Sequence, residues 1–242
     1  MTQSHINDRS KPLMLIGSNS KMFFLKDICE ELGIVIAGII DSDYFGNTSS
    51  IDDIPVVDTE HSFNDPQRVE FYKNNYNFFL ATNWSPHKDS VAVRNREKRL
   101  QLMALVDQHD LPCVSLIDPS ARIQKTTRIG KSVLIDSFAY ISANNVIEDY
   151  AQIFAMSSMG VGNTINRNCV MQRRCAIMHN TVFEENVYFE LGVGVYVSDV
   201  VFKKNTVIHP GIIMGRGTQE NELVSLAGKD LRRVYTCYTV VE

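Results

Sequence analysis

The sequence predicts an α/β domain with a parallel sheet followed by an all-β parallel solenoid, within one chain of 242 residues. Three observations predict it. Apolar residues recur every six positions from Ile117 to Ile213. Mostly small residues recur at the same period, four positions further on. Before the repeat, short apolar runs ending in turn residues alternate with helix-like stretches.

The apolar ladder comprises Ile117, Ile123, Ile129, Ile135, Ile141, Ile147, Ile153, Met159, Ile165, Met171, Ile177, Phe183, Phe189, Val195, Val201, Val207 and Ile213. Most are β-branched or aromatic, which suits strands. An α-helix needs a period near 3.6, and a free strand alternates for only a few residues. A sustained period of six fits short strands joined by tight turns and stacked as a solenoid. The second ladder includes Ala121, Ala139, Ser157, Cys169, Cys175 and Gly211. Small side chains there fit near the corners of a tightly turned coil. The register reads without a break, which predicts no long inserted loop between residues 117 and 213.

The earlier half has a different rhythm. Leu13 to Ile16 is an apolar run ending at Gly17, and Ser18, Asn19 or Ser20 is placed to cap a helix from Lys21 to Leu32 that Gly33 stops. Ile34 to Ile40 is a second run ending at Asp41, so the opening reads as a βαβ unit. Pro66 to Tyr76 and Asp89 to His109 read as helices, and Phe78 to Ala81 as a strand. The expected organisation is a frayed tail over 1–10, the α/β domain over 11–112, the solenoid over 113–214 and a cap over 215–242. A solenoid's open end exposes strand edges and needs such a cap. Tyr235 to Val241 reads as a strand that supplies it.

Composition is ordinary for a soluble protein: 44% hydrophobic, 21% charged and a net charge of −4. That balance predicts neither nucleic-acid binding nor attraction to an anionic membrane. No apolar run is long enough to span a bilayer, and the polar opening MTQSHINDRS lacks a signal peptide's apolar core. The five cysteines are odd in number and match no zinc spacing. No metal is expected, and reduced thiols point to the cytoplasm.

A helix N-terminus after Gly17 suits a phosphate group, since ligands of such folds sit at the carboxyl ends of the strands. Asp41 and Asp43 end the second strand, placed to accept hydrogen bonds from a ligand, although composition alone makes them ordinary loop residues. The dinucleotide fingerprint needs three glycines, and only Gly17 is present, which argues against an NAD enzyme.

An α/β half followed by a hexapeptide repeat resembles the NeuD/PglD-type sugar acyltransferases. The resemblance runs through Leu13 to Leu32, the AGIIDSD segment Ala37 to Asp43, Ile54-Pro55-Val56-Val57, and LIDPSA at Leu116 to Ala121. It implies a Rossmann-like nucleotide-sugar-binding domain, a left-handed β-helix, a homotrimer and acetyl-CoA as co-substrate. It further implies substrate contacts at Gly17, Ser18, Asn19, Ser20, Lys21, Asp41 and Asp43. Lys21 replaces a histidine common in that family's turn.

The family's active histidine lies in a segment like V-E-H-D-x-x-I, matched here by Ile177-Met178-His179-Asn180-Thr181-Val182-Phe183. His179 falls two residues past a ladder position, which puts it at a corner of the coil. The resemblance implies direct acyl transfer from a thioester, with His179 as general base and Asn180 in place of a carboxylate that orients the ring. A histidine titrates near neutral pH, as such a base requires. Gly192, Gly194, Ala227 and Gly228 are the implied contacts of coenzyme A. Met178, Asn180 and Tyr188 depart from the family's residues. They motivate a rival reading, a trimeric sugar-nucleotide-binding scaffold without chemistry; a sugar O-acyltransferase is a further alternative.

Overall fold

The computed structural model describes residues 5–18, 22–82, 90–225 and 234–236. The chain divides into two compact units, Met1–Leu116 and Ile117–Glu242.

The first unit is a five-stranded sheet with helices. Its elements are β1 (Leu13–Ile16), α1 (Phe23–Leu32), β2 (Ile36–Ile40), β3 (Ser50–Ile51), β4 (Ile54–Asp58), α2 (Pro66–Asn75), β5 (Asn77–Leu80) and α3 (Ser90–Gln108). The strand order is β3-β4-β2-β1-β5. All pairings are parallel except the β3–β4 hairpin. β1 lies inside the sheet and is buried at every residue, as its unbroken apolar run requires. Helix α1 buries Leu25, Ile28, Cys29 and Leu32 at helical spacing and ends at Gly33, whose φ of 67° is left-handed. Asp65 caps α2 by accepting from the Gln67 amide, with Pro66 next to it at the helix start. The β3–β4 hairpin was not expected as strands: β3 is two residues long, and Pro55 interrupts β4. Strand order reverses at β1, with β2 on one side and β5 on the other. That reversal opens a crevice at the carboxyl ends of the two strands.

The second unit is a left-handed parallel β-helix. Two-residue strands form three sheets. We name these the Ala176 face (Arg122–Ile123 to Ile213–Met214), the Val182 face (Arg128–Ile129 to Val201–Phe202) and the Val170 face (from Leu116–Ile117 onward). Parallel crossovers are normally right-handed because a twisted strand feeds a helix. Here the strands are minimal and no helix intervenes, so that constraint has little to act on. The second residue of each strand points inward, and Ile135, Ile141, Ile153, Met171, Phe183 and Phe189 are fully buried. The rings of Phe183, Phe189 and Phe202 pack with centroids 4.6–5.2 Å apart. Each such burial stabilises by about 1.5–3 kcal/mol. Cys169 and Cys175 fill the small-residue column, and burial pushes both thiols up to about 12.

The register does break once, against expectation. Val182 pairs with Val201, where an unbroken repeat would supply Val200. One extra residue therefore lies between Val195 and Asp199. Beyond it the inward residues are Phe202, Ile208 and Met214, while Ile213 is 69% exposed. The small-residue ladder shifts too. Asp199, Asn205 and Gly211 occupy left-handed corners with φ of 60°, 60° and 71°, and Thr206 lies inside. Adjacent apolar pairs such as Val201-Phe202 and Ile213-Met214 hid the shift, because either member suits a strand.

The stack extends beyond residue 214. Glu222–Val224 pairs in parallel with Val207–Ile208, and Val234–Thr236 adds to it antiparallel. An antiparallel strand on the last coil occupies an edge that would otherwise stay open on the Val170 face.

Candidate functional site

His179 lies on the exposed corner between the Ala176 and Val182 faces. Its ring rests against the preceding coil. The Val161 amide donates to Nδ1 at 2.9 Å. Gly160 makes this approach possible: a Cβ there would stand 2.6 Å from Nδ1 and 2.7 Å from the Met178 carbonyl oxygen. Because Nδ1 accepts a hydrogen bond, the neutral ring carries its proton on Nε2. A base acting through Nε2 needs the other tautomer. Among the described residues no carboxylate pairs with this ring.

Buried asparagines inside the coil hold the corner. The Asn145 Oδ1 accepts from the Asn163 amide at 2.8 Å, and the Asn163 Oδ1 accepts from the Thr181 amide at 2.8 Å. The side-chain amides of Asn145 and Asn163 both donate to the Gly160 carbonyl. Asn180 is a left-handed corner residue, φ 53°, and its amide donates to Asp199 Oδ1 at 3.1 Å in the next coil. It thus secures the corner backbone and makes no hydrogen bond to the ring. The extra residue of the following coil falls within Tyr196 to Ser198, next to this corner.

The other β-helix candidates lie elsewhere. Gly192 is an open left-handed turn, φ 70°, between the Val170 and Ala176 faces. The column of that corner also carries Arg174 in the coil before. Gly194, the second implied coenzyme A contact on this stretch, does not present an open backbone as Gly192 does. It is buried, and the Tyr196 ring lies where a Cβ would be, 2.6 Å away. Tyr188 belongs to the Val170 face, where its hydroxyl accepts from Gln172 at 2.7 Å. Ala227 and Gly228 lie outside the described residues.

In the first unit, Asp41, Asp43, Glu60 and Lys98 converge at the carboxyl ends of the strands. The Lys98 ammonium bonds Asp41, reaches Asp43 at 2.9 Å and lies 3.4 Å from Glu60. Ser18 donates to Asp41 at 2.5 Å, and the Ser42 amide donates to Glu60 at 2.8 Å. Burial opposes the Lys98 charge, but the hydrogen bonds to Asp41 and Asp43 and the nearby carboxylates override it and raise its pKa. A cleft of about 420 Å³ opens here, lined by Asp43, Glu60, His61, Lys98 and Gln101 among others. With Asp43, Glu60 and Glu97 against one lysine in its lining, it suits a ligand's hydroxyl or N–H donors better than a phosphate.

Gly17 meets two demands at once. Its φ is 68°, and a Cβ would run into Thr82 and stand 2.6 Å from Leu102. The expected phosphate position at the start of α1 is partly taken. Asp52, from the β3–β4 turn, accepts from the Met22 amide at 2.5 Å and the Phe23 amide at 3.1 Å. A carboxylate at a helix N-terminus is itself stabilising. Asn19, Ser20 and Lys21 lie outside the described residues. Lys98 was missed by sequence reasoning. It sits in a charged stretch, RNREKR, where nothing singles it out until α3 is set against the sheet.

A Rossmann-like sheet followed along the chain by a left-handed β-helix is also the fold of the solved structures that the chain matches. Among solved structures, the chain is similar to a histidine variant of perosamine N-acetyltransferase from Caulobacter crescentus in complex with CoA and GDP-perosamine. That match has 20% identity, a TM-score of 0.74, and covers 88% of this chain and 93% of that one. It is similar to WeeI from Acinetobacter baumannii, at 12% identity and TM-score 0.72, over 93% and 100% of the chains. It is also similar to the acetyltransferase domain of PglB from Neisseria gonorrhoeae with acetyl coenzyme A, at 14% identity and TM-score 0.57, over 88% and 95%. No family model and no curated protein matches the chain.

Proposed function

We propose that this protein is an acetyl-CoA-dependent N-acetyltransferase acting on a nucleotide-linked amino sugar. One observation carries the reading. The whole two-part architecture corresponds to an N-acetyltransferase that binds CoA and GDP-perosamine. The acidic cleft around Lys98 supports it further, because it suits the hydroxyls and ring N–H groups of a nucleoside. The site takes a direct transfer from thioester to amine beside His179. The base role implied for His179 requires the ring to leave the Val161 amide and turn.

A homotrimer completes this reading. Exposed apolar residues gather on the Ala176 face and its two corners, including Tyr140, Met156, Tyr196 and Ile213. Such a patch marks an interaction surface. The expected setting is cytoplasmic polysaccharide or glycan synthesis. Among the described residues no helix is long and apolar enough to cross a membrane, and no group of side chains could hold a metal ion.

The test is release of free thiol from acetyl-CoA against a panel of nucleotide-linked amino sugars. Thiol release with one of them, and N-acetylated product by mass, is the expected result. Saturable thermal stabilisation by acetyl-CoA without turnover on any acceptor would instead favour a binding scaffold. That second reading draws on the lack of any carboxylate beside the ring among the described residues.

A further inference from the structure

We infer that Asp43 accepts a hydrogen bond from the ribose 2′-hydroxyl of the substrate's nucleotide, with Lys98 as the residue that positions it. The protein would then take ribonucleotide-linked rather than 2′-deoxyribonucleotide-linked amino sugars. The inference rests on the nucleotide-linked reading of the cleft and deepens it.

A parallel sheet of this kind meets ribose hydroxyls with an acid at the end of its second strand. Asp41 stands at that place after β2, but it is spent inside the protein. It is 1% exposed. Its Oδ1 accepts from the Asp43 amide at 2.9 Å and from the Lys98 ammonium, and its Oδ2 accepts from Ser18 at 2.5 Å. Glu60 is spent as well. Its Oε2 accepts from the Ser42 amide at 2.8 Å, and its Oε1 lies 3.4 Å from the Lys98 ammonium. These two carboxylates hold the ammonium in place from below the cleft surface.

Asp43 differs from both. Its side chain is 45% exposed and lines the cleft. Oδ2 accepts from Lys98 at 2.9 Å, and among the described residues Oδ1 has no hydrogen-bond partner. Lys98 therefore fixes one oxygen of this carboxylate and leaves the other to meet a ligand. The three protons of the ammonium face three carboxylates, so none is left over for a phosphate. A charged acceptor at the cleft surface repels a phosphate and favours a neutral hydroxyl donor. A 2′-deoxyribose would set a C–H where Oδ1 needs a donor. A site that hydrogen-bonds a substrate hydroxyl discriminates against the analogue lacking it, because its own polar group is then left unpaired.

Isothermal titration of the full chain with GDP, UDP, ADP and CDP, each against its 2′-deoxy form, tests this. Wild type should bind its preferred ribonucleotide about tenfold or more tightly than the deoxy form, the usual worth of a hydrogen bond to a charged group. Asp43→Ala should bring that ratio close to one by weakening the ribonucleotide alone. Lys98→Met should lower the ratio part of the way, because Asp43 is then no longer held. A ratio near one in wild type, or an undiminished ratio in Asp43→Ala, would overturn the inference. So would a parallel loss of both affinities in Asp43→Ala, which is what a merely structural residue would give. An undiminished ratio in Lys98→Met would overturn the positioning role. Acetyl-CoA titrated in the same series keeps the two readings apart. Acetyl-CoA binding without any preference for a ribonucleotide would sink this inference and leave the acetyltransferase reading standing; binding of neither would sink both.

Discussion

Asn163→Ala probes the link between the coil interior and the His179 corner. Asn163 is fully buried, and its side chain makes two corner hydrogen bonds. Oδ1 accepts from Thr181 at 2.8 Å, and Nδ2 donates to the Gly160 carbonyl at 3.0 Å. Alanine orphans the Thr181 amide inside the coil, at a cost of about 1–3 kcal/mol. The Gly160 carbonyl keeps its bond from Asn145, so its loss is smaller, about 0.5–1.5 kcal/mol. Together with the space the amide vacates, the loss should reach about 2–4 kcal/mol. Guanidinium unfolding at fixed protomer concentration measures it, because assembly contributes to apparent stability. Asn163→Asp should cost at least as much. It keeps an acceptor for Thr181 but sets a carboxylate oxygen against the Gly160 carbonyl. Either variant within about 0.5 kcal/mol of wild type would refute the claim that this ladder holds the corner.

Two further outcomes follow from the first unit. The raised Lys98 pKa means its stabilising charge is fully present below the ordinary value of 10.5 and is lost as pH rises through the folded value. Wild type should therefore lose more stability at strongly alkaline pH than Lys98→Met does, as read by denaturant titration across that range; equal losses would contradict it. Gly17→Ala should destabilise the protein by about 1–2 kcal/mol from the left-handed φ alone, with more from the contact with Leu102. Thermal unfolding tests this, and an unchanged midpoint would show that the turn relaxes freely.

Most of the fold was legible. The six-residue period announced the β-helix because only a coil with three equal short faces repeats at that interval. Gly33, Asp65 and Pro66 marked helix ends through backbone chemistry that acts within a few residues. The register break was legible in principle. The left-handed corner residues Asn186 and Gly192 are six apart, but Asp199 follows seven later, before Asn205 and Gly211 resume the period. The apolar ladder concealed this because Val201-Phe202 and Val207-Ile208 offer a strand residue in either phase. The corner position of His179 was readable from the same period, since corners follow from spacing.

What the sequence determined by itself about this protein is periodic and local: the coil, its corners, the α/β opening and the place of His179. Tertiary structure alone decided which groups meet. Val161 reaches the His179 ring because the two sit one coil apart, and Gly160 lets them close. Lys98 meets Asp41 and Glu60 because α3 crosses the strand ends, and Asp52 reaches the start of α1 from a hairpin turn. The physical reason is the same in each case. Hydrogen bonds and ion pairs depend on ångström-scale approach between residues distant in the chain, and residue type alone does not encode that approach. For His179 the difference is chemical: its position was read from spacing, but its tautomer was set by a backbone amide in the neighbouring coil.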